Sequence, residues 1–273
     1  MHPHGAGFPK ISLPGVKYVV AVASGKGGVG KSTVAANLAL ALQMHGGKVG
    51  LMDADIYGPS VPRMFGLSVM GGLPKDAFPL ERYGVKLLSM GFFVNPEQAV
   101  IWRGPMVHGT LTQFLRDFDW GPLDYLLLDL PPGTGDAQLT LSQTAPLSGA
   151  LIVTTPQEVS LTVARRGLEM FRQVRVPVLG IVENMSYFIG DDGKRYELFG
   201  HGGGKKLAAE AGVPFLGDIP IDPRVAECGD QGDPIVHKYP DSAVAQAYLA
   251  LATTVVQELH RAGPEPELPG LKL

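Results

Sequence analysis

A single cysteine, Cys228, in 273 residues excludes any disulfide within the chain. An excess of one charge sign is also missing. The 23 basic residues against 26 acidic ones leave a net charge of −3, which offers no general attraction to nucleic acid or to an acidic membrane surface. No apolar run reaches the roughly 18–20 residues that a transmembrane helix needs. The start, Met1 to Lys10, carries His, Pro and Gly in place of a basic head and an apolar stretch, so it does not read as a secretory signal. Together these absences point to a reduced, cytoplasmic protein with neither a nucleic-acid nor a membrane partner.

What is present is apolar residue in quantity: 45% of the chain, enough to bury the core of one sizeable α/β domain. Residues 1–15, rich in Gly and Pro, read as a loose lead-in. Residues 16–262 read as the domain, and 263–273 (GPEPELPGLKL) as a flexible tail. Within the domain, strand-length apolar runs alternate with helical stretches. Strands are expected at Tyr18–Ala23, Lys48–Met52, Val85–Ser89, Tyr125–Asp129, Ala150–Thr154, Val178–Glu183 and Phe215–Ile219. Helices are expected from Lys31 to His45, Pro105 to Phe118, Ser160 to Val174, Gly203 to Ala211 and Ala243 to Arg261. Runs such as YLLLD and ALIVT are apolar on both sides, as strands covered on both faces require. The fold class that follows is α/β, a parallel sheet with helices on both faces. The stretch from Tyr57 to Gly84, with many Gly and Pro and weak periodicity, reads as a surface insertion.

Between the first strand and the first helix lies Gly25-Lys26-Gly27-Gly28-Val29-Gly30-Lys31-Ser32, followed by Thr33. It satisfies G-x-x-x-x-G-K-[ST] in the context that motif needs. Its glycines let successive amides turn toward phosphate oxygens, and the helix N-terminus adds partial positive charge. Lys31 is placed to reach the β- and γ-phosphates of ATP, and the Ser32 hydroxyl to ligate Mg²⁺. A mere connector between strand and helix is the competing reading. Lys26, inside the loop, is a solvated loop lysine on that simple view.

Three acidic residues end strands. Asp53 and Asp55 follow the second strand, at the edge where open α/β sheets bind ligands; one could serve the Mg²⁺ shell and another orient the attacking water. Two capping acids would read the same way. Asp129 closes YLLLD as a Walker B carboxylate acting on Mg²⁺ through water. The Pro131–Asp136 segment after it holds Gly133 and Gly135, suited either to a phosphate-sensing switch or to a plain turn.

GKGGVGKST resembles the deviant Walker A sequence of the family that includes the MinD and ParA ATPases, nitrogenase iron protein and the Mrp/ApbC proteins. In that resemblance Lys26 crosses to a partner subunit's phosphates, implying a homodimer with ATP between its copies, and Asp55 becomes the water-positioning residue. The Mrp/ApbC group is the nearest match. LPGVKYVVAVASGKGGVGKST, DADIYGPS, WRGPM (Trp102–Met106), LDLPPGTGD, ENMSYF (Glu183–Phe188) and FGHGGG (Phe199–Gly204) run in its order from about Leu13 to Tyr248. The resemblance implies that Asn184 reads the adenine edge and that the loop with Pro220 and Asp222 closes over the base. It also implies slow ATP hydrolysis coupled to iron–sulfur cluster carriage for an apo client protein. Many relatives carry a further small domain ahead of LPGVK, so such a partner domain is expected either to be missing or to sit on another chain.

The chain departs from that group at the cluster site. Between ENMS and FGHGGG the group typically has C-x-x-C; here stands Gly190-Asp191-Asp192-Gly193. Carboxylates do not replace thiolates around iron–sulfur clusters, so no cluster ligand is assigned. Cys228 reads as a buried small apolar residue, His201 as part of a Gly-rich turn, and Asp191 and Asp192 as a solvated turn tip. Two alternatives stay open: a positioning or regulatory switch of MinD/ParA type, or a metalloprotein assembly chaperone without its own cluster. The Pro/Glu-rich tail lacks the basic amphipathic pattern that a membrane-binding switch of the first kind would use.

Overall fold

The computed structural model describes residues 10–55, 58–67, 78–93 and 104–263. Apolar runs too continuous for a half-exposed strand form the middle of one eight-stranded sheet. In chain order the strands and helices are β1 (Val16–Ser24), α1 (Lys31–Met44), β2 (Val49–Asp53), α2 (Val61–Met64), β3 (Leu80–Arg82), β4 (Val85–Ser89), α3 (Gly104–Arg116), β5 (Leu123–Asp129), α4 (Asp136–Thr144) and β6 (Gly149–Thr154). They continue with α5 (Glu158–Gln173), β7 (Val178–Glu183), β8 (Phe188–Ile189), β9 (Arg195–Tyr196), α6 (Gly203–Ala211), β10 (Phe215–Asp218), α7 (Pro223–Gln231), α8 (Ile235–Lys238) and α9 (Ala243–Ala262).

The sheet order is β10-β7-β6-β1-β5-β2-β4-β3, parallel throughout except for the edge strand β3, which runs against β4. Strands β2 and β6 are buried along their whole length, because helices cover both faces. Helix α1 is buried from Val34 to Leu42, packed between the sheet and α9. A helix so enclosed needs no polar face, which is why Val34 to Leu42 is apolar except for Asn37.

The parallel register carries the functional consequence. Asp53 of β2 lies beside Asp129 of β5, and Val22 of β1 pairs with Asp129 on the other side. The C-terminal ends of β2, β5 and β1 therefore bring two acids and the glycine-rich loop to one edge.

The segment from Tyr57 to Gly84 is not simply a surface insertion where it is described. It supplies α2 and β3, and Val61 and Phe65 are fully buried. Its pieces are three and four residues long, too short for periodicity to register. Of the lead-in, Ile11 and Leu13 pack against the core, and the Ile11 amide donates to the Thr144 carbonyl at 2.9 Å. Trp102 and Arg103 of WRGPM, residues 1–9 and the tail from 264 onward lie outside the described residues.

Candidate nucleotide site

Strand β1 stops at Ser24, whose buried hydroxyl donates to the Lys26 carbonyl at 2.9 Å and starts the turn. Gly30 is the N-cap of α1 at φ 79°, in the left-handed region, and offers no side-chain cap. The first amides of α1 consequently have no partner from the helix or from a cap, the condition under which a helix start takes an anion. Gly30 is also a contact point, since a Cβ there would sit 2.2 Å from Asn184 Nδ2. At Gly25 a Cβ would come within 2.3 Å of the Val163 backbone on α5, whereas Gly27 and Gly28 face open space. The loop is thus pinned at both ends and open in the middle.

Lys31 projects inward. Its ammonium donates to Asp129 Oδ1 at 2.5 Å and to the Ser32 hydroxyl at 3.2 Å, and the two ion-pair partners are only 6% and 0% exposed. Burial raises the Asp129 carboxyl above its ordinary range; Lys31 and the Ser32 hydroxyl pull it back, and nearby Asp55 adds to the rise. Asp129 Oδ2 is buried with no hydrogen-bond partner. An orphaned carboxylate oxygen beside a serine hydroxyl is a hard-oxygen donor set that fits Mg²⁺.

Asp53 has a different environment. Its Oδ1 accepts the Asp55 amide at 3.1 Å, and its Oδ2 accepts the Ser60 and Val61 amides and the Ser89 hydroxyl at 3.1–3.2 Å. Burial, and after it the charge of Asp129, pushes this carboxyl up to about 7 against the pull of Lys31 and the amides. Asp53 therefore fixes the turn that carries Asp55 and the start of α2, standing behind Asp129. Ser89, fully buried at the end of β4, is a member of this arrangement that the sequence reading missed.

On the far side of the loop, Asn184 donates from Nδ2 to the Val29 carbonyl at 2.9 Å and is 6% exposed. Its amide nitrogen is therefore engaged with the phosphate loop. Pro220 is buried, and Asp222 is the N-cap of α7, accepting the Arg224 amide at 2.9 Å and its guanidinium at 2.6 Å. Those bonds to Arg224 hold the Asp222 carboxyl below the usual range. A cleft of about 260 Å³ opens beside Thr33 and Asn37, walled by Ser60, Arg63, Val225 and Gly229. It lies between α1, α2 and α7, next to the residue that follows the phosphate loop. Lys26 is half-buried, and among the described residues no ion pair or side-chain hydrogen bond holds its ammonium.

Where a C-x-x-C would be expected, β8 and β9 form a hairpin. Gly193, at φ 72°, donates to the Gly190 carbonyl, and Asp192 closes the turn by accepting the Lys194 amide and the Tyr196 hydroxyl. Residues 191–201 are all exposed, as the expected turn tip requires. His201 pairs with Glu197 at 2.9 Å. Cys228 is 1% exposed on α7, and burial pushes its thiol up. Among the described residues no group of three or more metal-ligating side chains occurs.

Comparison with known proteins agrees with this geometry. A family description, ParA: NUBPL iron-transfer P-loop NTPase, matches residues 15–256. The chain is 54% identical to an iron–sulfur cluster carrier protein of Synechocystis sp., covering 92% of this chain and 73% of that one. It is 48% identical to the iron–sulfur cluster transfer protein NUBPL of Mus musculus, covering 95% and 83%. Among solved structures, a nucleotide-binding protein from Archaeoglobus fulgidus in complex with ADP matches at 42% identity and TM-score 0.70, over 81% of this chain and 88% of the other. The cell division ATPase MinD of Pyrococcus furiosus shares the fold, with TM-score 0.66 over 88% of this chain and 98% of that one.

Proposed function

The chain belongs to the ParA-type family of NUBPL-like iron-transfer P-loop NTPases, and from that premise we propose that it is an ATP-driven switch serving iron–sulfur cluster delivery to client proteins. The observation that carries the nucleotide part is the buried Lys31–Asp129 pair at the mouth of the open loop, with Asp129 Oδ2 left orphaned. Lys31 sits at the start of α1, where its ammonium can serve the β- and γ-phosphates of ATP as well as Asp129.

In this reading the amides of Gly27 to Ser32 cradle the phosphates, and Thr33 continues the cradle onto α1. Ser32 and Asp129 hold Mg²⁺, with Asp53 bracing the acidic edge from behind. Bound there, the metal supplies charge neutralisation for the transferring phosphoryl group. Lys31 stabilises that group directly, and Lys26 does so from a second copy of the chain. Asp55 orients the water that attacks the γ-phosphorus, and the bond to the ADP oxygen breaks to give ADP and phosphate. The Asn184 side-chain oxygen and the Pro220–Asp222 loop take the base. Turnover is slow, because the nucleotide changes shape and association instead of feeding a metabolic flux.

The cluster is cargo, and this chain does not supply a full set of ligands for it. Four thiolates are the usual demand, while two copies contain only two cysteines, both buried on α7. The proposed contribution is therefore nucleotide-driven handling, with the thiolates coming from a client or partner.

The test is titration with ATP and Mg²⁺, followed by light scattering with a nonhydrolysable analogue. Wild type is expected to bind and form a dimer, Lys31→Ala to lose binding, and Lys26→Ala to bind without dimerising or hydrolysing. Normal ATP-dependent dimerisation and hydrolysis in Lys26→Ala would sink the shared-nucleotide reading. Iron and sulfide bound stoichiometrically by Cys228→Ser after anaerobic purification would sink the cargo reading.

A further inference from the structure

Strand β7 ends in a buried carboxylate that the nucleotide chemistry leaves unused. Glu183 is 1% exposed, and both of its oxygens are engaged. Oε1 accepts the Ser186 hydroxyl at 2.5 Å, and Oε2 accepts the Gly204 amide at 2.5 Å. Gly204 is the second residue of α6, a nine-residue helix, so the carboxylate sits at a helix N-terminus. It takes an amide that the helix cannot satisfy internally and lies where the helix dipole favours negative charge. The fit is close: a Cβ on Gly204 would come 3.0 Å from Glu183 Cβ and Oε2. The Gly200–Gly204 turn is a second glycine-rich approach to a helix, and its anion is built in.

The same residue holds the nucleotide side. The Glu183 carbonyl accepts the Ile219 amide at 2.9 Å, and the Ser186 amide donates back to the Ile219 carbonyl at 3.0 Å, which fixes the approach to Pro220. Its neighbour Asn184 donates its backbone amide to Thr154 at 2.8 Å and its side-chain amide to the Val29 carbonyl. Four residues, Glu183–Ser186, thus grip the phosphate loop, the base loop and the start of α6 together. Immediately before α6 runs the exposed strip 191–201. Tyr196, Leu198 and Phe199 on that strip are 44%, 58% and 41% exposed, an apolar content that a solvated turn does not need.

We propose that Glu183 is a positioning residue that couples nucleotide occupancy to α6 and the exposed 191–201 strip. This rests on the nucleotide reading above. Engagement of Asn184 and the base loop shifts the end of β7, and the carboxylate carries that shift to the first turn of α6. Leu207 and Ala208 bury the middle of α6 in the core, and Glu183 is the polar tie between the end of β7 and the first turn of that helix. A carboxylate suits this task because its two oxygens accept two donors at once, each as a charge-assisted bond.

Hydrogen exchange read by mass spectrometry, with and without ATP and Mg²⁺, tests the coupling. In wild type, ATP is expected to slow exchange at residues 203–206 about tenfold, as expected for local opening suppressed by a ligand. In Glu183→Ala that difference should fall below about threefold while KM for ATP rises about tenfold, a larger change than the fall in kcat. Glu183→Gln retains one acceptor for the Gly204 amide and should restore most of the difference. If Glu183→Ala does not fold, Glu183→Gln decides, with a partial loss expected in both readouts. A folded Glu183→Ala matching wild type in protection and KM overturns the proposal. So does an ATP-saturated wild type without slowed exchange at 203–206, a result that leaves the proposed function standing. A wild type that binds no ATP defeats the proposed function itself.

Discussion

Removing the Lys31 ammonium should damage the fold as well as the chemistry, and the two effects can be separated. In the structure Lys31 neutralises Asp129 in a site where Asp129 and its neighbour Asp53 are at most 1% exposed. Lys31→Ala leaves two buried carboxylates with no cation beside them. An uncompensated buried charge costs about 3–5 kcal/mol. Asp129 can escape that penalty by taking up a proton, which costs about 1.4 kcal/mol for each pH unit above the ordinary carboxylate range. The ceiling is therefore about 4 kcal/mol at pH 7 and about 1.5 kcal/mol at pH 5. The sign follows from proton binding. The folded variant holds a proton that the unfolded chain releases above about pH 4, so its deficit grows as pH rises and vanishes below that value. Urea denaturation of wild type, Lys31→Ala and Lys31→Ala/Asp129→Asn at pH 5 and pH 7 measures this. The double variant should recover most of the lost stability at pH 7 and none of the ATP hydrolysis. An equal deficit at both pH values, or no recovery in the double variant, would refute the argument that Lys31 offsets a buried charge.

Gly30→Ala should lower stability by about 1–2 kcal/mol from its left-handed backbone alone, and should displace the Asn184 side chain 2.2 Å away, so denaturation and ATP titration are both expected to shift. An unchanged ATP affinity would separate Asn184 from the nucleotide. Gln138 of α4 is 1% exposed, and neither its Nε2 nor its Oε1 has a hydrogen-bond partner; Gln138→Leu should therefore raise stability by about 1–3 kcal/mol in the nucleotide-free protein. A loss of stability there would mean that an ordered water or another group satisfies it. ATP with Mg²⁺ at 100 times its Kd should add about 2.7 kcal/mol, measurable as a rise in Tm, with part of the rise removed by EDTA. Gly190→Cys/Gly193→Cys should gain visible charge-transfer absorption on anaerobic reconstitution with iron and sulfide, while wild type stays colourless. Cysteine at φ 72° costs about 1–2 kcal/mol in the hairpin, so the variant should also melt earlier.

The sheet and the phosphate loop were legible because their signals are local. Tyr125–Leu128 of β5 and Ala150–Val153 of β6 are unbroken apolar runs, and Gly25–Ser32 is a contiguous motif in the right context. What escaped the sequence reading depends on contacts distant in the chain. The partners of Asp53 at residues 60, 61 and 89 are brought together by parallel pairing of β2 with β4 and by the return of α2. Helix α7 carries a local cue. Asp222 followed by Pro223 is an N-cap followed by proline at the first helical position, a recognised start signal. Helix α4 gave no such cue, since Gly135 caps it without a side chain.

The hairpin explains why the absent cysteines leave no gap in the fold. At the position equivalent to the second cysteine, Gly193 adopts a left-handed conformation that an L side chain resists. At the first, a Cβ on Gly190 would come 2.8 Å from the Tyr196 ring and 2.9 Å from Asp192. Asp192 and Tyr196 are themselves bonded to each other across the turn. The segment is therefore built as a closed turn in which glycine, aspartate and tyrosine depend on one another. On the coupling proposed above, Glu183 ties the helix that follows this closed turn to the base loop.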